Sequence, residues 1–183
     1  LCDEEQITVT VTKRATTLTY NGDLTEQYSD VANLSATLLG NVGGSGIAGK
    51  TIKFTIGSQT TTGITDANGV AVAVLKITQS PIPTTYKVQA SFTGDGSYFG
   101  NTDEKAFDIT QENALVEYTG PEFVGESNPS LSSTPVLLSA SINDIGDGSL
   151  AGIMEDGDIR NARVKFYDVN GGDLCGWLTP GLV

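Results

Sequence analysis

Residues 50–56, KTIKFTI, alternate polar and apolar side chains without a break. A period of two sends Ile52, Phe54 and Ile56 to one face of an extended chain and Lys53 and Thr55 to the other, the pattern of a strand half in a core and half in water. Residues 85–92, TYKVQASF, repeat the device with Tyr86, Val88, Ala90 and Phe92. Further runs read the same way: QITVTVT (6–12), TTLTY (16–20), VANLSATLL (31–39), GVAVAVLKI (69–77) and KAFDIT (105–110). No amphipathic helical period falls between them. Short strands at this spacing predict an all-β protein built as an antiparallel sandwich of roughly 100 residues.

Composition points the same way. Apolar residues at 38% with 17% charged describe a chain that folds, and 22 glycines against one methionine favour strands and turns over helices. The net charge of −12 repels phosphate backbones and anionic lipid surfaces, so neither nucleic acid nor membrane insertion is expected. The chain has no histidine, which removes Ser–His and Cys–His chemistry and the commonest zinc ligand. LCDEEQ at the start lacks the basic and apolar regions of a signal peptide, and Leu1 is not a translation start; the expectation is a mature or internal piece of a longer protein.

Laid on itself, the chain repeats. TTLTYNGD matches ALVEYTGP, placing Tyr20 over Tyr118 at an offset of 98; NLSATLLG matches LLSASIND, placing Leu34 over Leu138 at 104; KTIKFTIG matches ARVKFYDV, placing Phe54 over Phe166 at 112. Offsets that grow only between strands are what loop insertions in a second copy produce. The segment DEEQITVTVTKRATTLTY also aligns with DEKAFDITQENALVEY, with Val9 over Phe107, Val11 over Ile109 and Tyr20 over Tyr118 at the offset of 98. The expected organisation is therefore the last strand of a preceding domain in 1–13, a complete sandwich in 14–111 and the first half of a second in 112–183. The link TQENA between Ile109 and Leu115 is short, so restricted rotation between neighbours is expected.

Three segments carry a family resemblance. ITDANGVAVAVL (64–75), ASFTGDGSYFGNT (90–102) and IAGKTIKF (47–54) resemble the hairpin, the GDxxY corner and the preceding strand of bacterial immunoglobulin-like domains of invasin and adhesin type. The resemblance covers 14–111 and extends in part over 112–183. It implies immunoglobulin-like sandwiches in tandem, acting as rigid, non-enzymatic repeats of a large bacterial cell-surface or secreted protein. The implied partners are neighbouring domains or copies of the same chain, with a surface receptor or glycan as a further candidate.

The same motifs read as turn devices. In TDANG, Asp66 can accept bonds from backbone amides ahead of it while Asn68 and Gly69 tolerate positive φ. In GDGSYFG, Asp95 can cap the turn as Tyr98 lays its ring on the core and sends its hydroxyl to backbone. Asp103, Glu104, Glu112 and Glu117 could be imagined as a glycosidase pair, yet no sugar platform accompanies them. GNVGGSGIAGK (40–50) lacks the spacing of a phosphate loop. No catalytic residue and no obligate cofactor are expected.

One cluster stays open. NDIGDGSLAGIMEDGDIRN (143–161) gathers Asp144, Asp147, Glu155, Asp156 and Asp158, which are candidate calcium ligands or the acids of a hydrated loop. It is not an EF-hand, because Arg160 stands where a third ligand belongs. Cys2 and Cys175 are a candidate disulfide, between chains if copies join head to tail. Three functions follow: a spacer or shaft module, a fibre subunit assembled by strand donation of QITVTVT between chains, or a binding or accessory module of a secreted enzyme.

Overall fold

KTIKFTI becomes a central strand. The computed structural model describes residues 10–81, 85–122, 135–145 and 162–178, and divides the chain into two compact units, Leu1–Thr110 and Gln111–Val183. All regular structure among the described residues is β.

In the first unit, β1 (Thr16–Tyr20), β3 (Val31–Gly40) and β6 (Val70–Lys76) make one sheet in the order β1-β3-β6. The other sheet has the order β2-β8-β7-β4-β5, from β2 (Thr25–Gln27), β4 (Thr51–Ile56), β5 (Gln59–Ile64), β7 (Tyr86–Gly94) and β8 (Phe99–Thr110). Alternation decides what lies between them. Ile52, Phe54 and Ile56 are fully buried, as are Val88 and Ala90, and they meet Leu18, Tyr20, Leu34 and Leu38 from the other sheet in one core. This is the layering of a β-sandwich, in which each sheet hides one face on the other.

The first strands tie the two sheets together. β1 pairs antiparallel with β3, then the chain crosses over and β2 pairs parallel with β8, Thr25 opposite Asp108 and Gln27 opposite Thr110. The crossing passes through Gly22, where a Cβ would lie 2.6 Å from the Asn33 carbonyl oxygen and 2.7 Å from the Tyr20 hydroxyl, so only glycine lets the backbone approach. Along the same flank β1 and β8 are joined by scattered bonds in place of a ladder. Arg14 N donates to Ser97 O at 2.8 Å, Thr16 Oγ1 to Phe99 O at 3.0 Å, Asn101 Nδ2 to Thr16 O at 2.6 Å, and Tyr20 N to Asp103 Oδ2 at 2.9 Å.

Two strands, β2 and β5, were not expected from the sequence, and β8 starts at Phe99, six residues before KAFDIT. Of the QITVTVT run, residues 6–9 lie outside the described residues, and residues 10–12 belong to no strand.

The second unit has β9 (Ala114–Tyr118) paired antiparallel with β10 (Ala140–Asp144). Their register is that of β1 and β3: Tyr118 faces Ala140, Val116 faces Ile142 and Ala114 faces Asp144, as Tyr20 faces Ala36, Leu18 faces Leu38 and Thr16 faces Gly40. Detail carries over as well. Thr119 N donates to Ser139 O at 2.9 Å as Asn21 N does to Ser35 O at 2.8 Å, and the Tyr118 hydroxyl reaches Pro121 O at 3.2 Å as that of Tyr20 reaches Asp23 O at 2.7 Å. Residues 162–178 form a hairpin held by antiparallel bridges between Val164 and Leu178 and between Tyr167 and Asp173.

Candidate functional site

Asp66 organises the turn from β5 to β6. Its Oδ1 accepts the amides of Asn68 at 2.8 Å and Val70 at 2.9 Å, while Gly69 N donates to Asp66 O at 3.0 Å. Gly69 adopts φ 81°, in the left-handed region where a side chain is strained. The second unit holds the same turn in DVNGG: Asp168 Oδ1 accepts Asn170 N and Gly172 N, each at 2.8 Å, and Gly171 has φ 82°. Here it closes the 162–178 hairpin, whose Phe166 aligns in sequence with Phe54 of the first unit. The shared D-x-N-G pattern was the available signal.

Asp95 closes the corner between β7 and β8. Oδ1 accepts Ser97 N at 2.7 Å and Tyr98 N at 2.9 Å, and Oδ2 accepts from the Lys50 ammonium at 2.7 Å. Lys50 above all, then the Ser97 amide, hold this carboxyl below its ordinary range. The same ammonium lies 5.3 Å from the centre of the Tyr98 ring, which packs against the core. At the edge of the core the Tyr20 hydroxyl donates to the Asp23 carbonyl oxygen at 2.7 Å; burial, helped by the negative charge of Asp23, pushes its pKa above the ordinary tyrosine range.

Asp103, weighed from the sequence as one of a catalytic pair, serves the β1–β8 flank instead. Its bond from the Tyr20 amide is the main reason its pKa is lowered, and Lys105, at 3.3 Å, adds to it. A groove of about 520 Å³ opens on the outside of the three-stranded sheet, lined by Asn21, Asp23, Asn33, Ser35, Val72 and Val74. Its one carboxylate, Asp23, accepts the Asn33 amide at 2.7 Å through Oδ2. Nothing in this lining pairs a nucleophile with a base.

Of the acidic cluster, Asp144 ends β10 opposite Ala114; Asp147, Glu155, Asp156 and Asp158 lie outside the described residues. Among the described residues no three side chains of the metal-ligating types come together. Cys175 is exposed at the hairpin, and Cys2 lies outside the described residues. No protein-family model matches this sequence, and no curated protein matches it.

Proposed function

We propose that the chain is a non-enzymatic structural module, an immunoglobulin-like sandwich followed by the front of a second copy, which serves as a spacer in a bacterial protein displayed outside the cell. The observation that carries this reading is the parallel run of the first and last strands of the first unit, in the β2–β8 pairing and the bridge from Arg14 to Tyr98. Parallel first and last strands let the chain come in at one pole of the sandwich and leave at the other, so each module adds length. With β8 spanning 12 residues, that length is roughly 40 Å at the usual rise per residue.

The tandem part of the reading rests on the shared register of β1–β3 and β9–β10 and on the matching Tyr–Phe contacts described below. The immunoglobulin-like part rests on a first strand divided between both sheets and on strands that cross repeatedly from one sheet to the other.

Pulling the chain by its ends tests the spacer role. Because β2 and β8 are parallel, force shears their bonds together, and the first unit should unfold in one discrete event. The released length should be about 3.3–3.6 Å per residue of the unit, less its folded span. Gradual extension at low force would count against a load-bearing module.

A second reading has one observation on its side. Val116 and Tyr118 are 55% and 46% exposed, whereas Leu18 and Tyr20 in the same register are 4% exposed. A face of this kind suits cover by further strands, either from the same polypeptide or donated by another copy into a fibre. Sedimentation across a concentration series separates them: growth into long oligomers favours donation, and a monomer at all concentrations removes it.

A further inference from the structure

We propose that the outer face of the 162–178 hairpin is a binding platform for neutral oligosaccharides, with Trp177 and Tyr167 as stacking surfaces and Lys165 and Asp173 as the groups that engage sugar hydroxyls. Along this strand Val164 and Phe166 point to one side, and Lys165 and Tyr167 to the other by simple alternation. Trp177, next to the residue that bridges Val164, joins the second side: the Lys165 ammonium lies 5.7 Å from its ring and 5.3 Å from that of Tyr167. Both rings face water, at 63% and 55% exposure.

The fold does not ask for rings here. By the offset of 112, Lys165 stands over Lys53 and Tyr167 over Thr55, and the residue across the hairpin from Lys53 is Thr62. Where the first copy shows water a lysine and threonines, the second shows it two large amphipathic rings around a lysine. Rings of this kind offer a flat apolar surface with a polar edge, which suits a ligand with both characters.

The polar pair selects the ligand class. Lys165 Nζ meets Asp173 Oδ2 at 2.6 Å, and Asp173 Oδ1 accepts Gly176 N at 2.9 Å and Cys175 N at 3.2 Å. The ammonium is thus held between two rings and a carboxylate that is itself anchored, so little ordering remains to be done on binding. The pair keeps both partners ionised, the lysine pKa raised and the aspartate pKa lowered by their mutual hydrogen bond. Its net charge is zero, which favours neither anion nor cation, while hydroxyls can donate to the carboxylate and accept from the ammonium. The chain's charge of −12 adds a field against acidic glycans and nucleic acid. A pyranose presents C–H faces to the rings and hydroxyls at its rim, and so matches both parts of the site. The proposal does not rest on the spacer reading; either can fail alone.

Trp177 is the only tryptophan, so its emission reports the site directly. The full chain is titrated with cellohexaose, xylohexaose and chitohexaose up to roughly 10 mM, the range in which weak single-site binding is visible. A saturable change in emission with at least one of them is expected. Affinity should fall by about ten-fold or more in Tyr167→Ala and, by calorimetry, in Trp177→Ala, as for loss of an aromatic anchor. Trp177→Phe, which keeps a ring, should retain binding by calorimetry and so separates lost stacking from a damaged fold; Val72→Ser in the first unit should bind as the parent does. No response to any of the three sugars overturns the proposal, as does binding of polygalacturonate alone or affinity unchanged in both alanine variants.

Discussion

Tyr118 and Phe166 meet edge to face with ring centroids 6.3 Å apart, the separation at which Tyr20 meets Phe54. The tyrosines are offset by 98 in sequence and the phenylalanines by 112, so the intervening loops absorb the difference while the contact is kept. Edge-to-face pairs at this range place the positive ring edge on the negative ring face, which fixes how two strands lie across each other.

Removing the two phenylalanines should have unequal effects. Phe54 is fully buried, and Phe54→Ala should cost about 3–5 kcal/mol, the range for deleting a core ring. Phe166→Ala should cost clearly less, because its partner Tyr118 keeps 46% of its surface in water. Urea denaturation followed by far-ultraviolet dichroism, with Trp177 emission as a reporter of the second unit, distinguishes the two; equal losses would contradict the difference in burial.

The two D-x-N-G turns give a sharper contrast. A Cβ on Gly69 would sit 2.3 Å from the Leu38 carbonyl oxygen, and one on Gly171 would meet nothing within 4 Å. Both positions carry the left-handed penalty of about 1–2 kcal/mol for an L side chain. Gly171→Ala should therefore lose about that much, while Gly69→Ala should lose more and shift the backbone at the β3 contact. Thermal melts of both variants, with amide spectra to locate the shift, are the check.

Asp103 makes the β1–β8 flank sensitive to acid. Its folded pKa lies below the unfolded one, as does that of Asp95, so their contribution is complete above the unfolded value near 4 and is lost as pH falls through the lower folded value. Stability of the first unit should be flat with respect to these groups at neutral pH and fall below about pH 4. Asp103→Ala, which strips the Tyr20 amide of its acceptor, should cost about 1–3 kcal/mol at neutral pH, and Asp103→Asn, which keeps an oxygen, less. Denaturation midpoints measured at several pH values in parent and variants would expose any other pattern.

Calcium should leave the first unit untouched. Asp66 and Asp95 are committed to turns and Asp103 to the flank, and among the described residues no acids gather as a metal-holding group. Midpoints for this unit in millimolar calcium and in chelator should coincide. A shift in Trp177 emission alone would direct attention to Asp144 and the segment 146–161.

Much of this architecture is readable in the residues because burial follows alternation: Ile52, Phe54 and Ile56, or Val88, Ala90 and Phe92, declare their face without help. β5 escapes notice for the same reason. It is an edge strand, and QTTTGI buries only Gly63, so no period of two in hydrophobicity marks it. β2 is three residues long and gains its identity from β8, more than 80 positions away. Asp103 is illegible for another reason. Nothing near it in sequence announces an acid whose partner is the Tyr20 amide; the pairing exists only once two sheets have closed. The aromatic pair Tyr167 and Trp177 could be counted from the sequence, but their common side depends on a hairpin set by the turn at Asp168.

The flank between β1 and β8 also imposes an order in time. The bonds from Thr16 to Phe99, from Tyr20 to Asp103 and from Asn101 to Thr16 span 83, 83 and 85 positions. A ribosome adding about 5–20 residues per second needs roughly 4–17 seconds to deliver the missing side. During that interval the first strands can pair with β3 but leave their outer donors in water, and contacts this distant in sequence close slowly even on a finished chain.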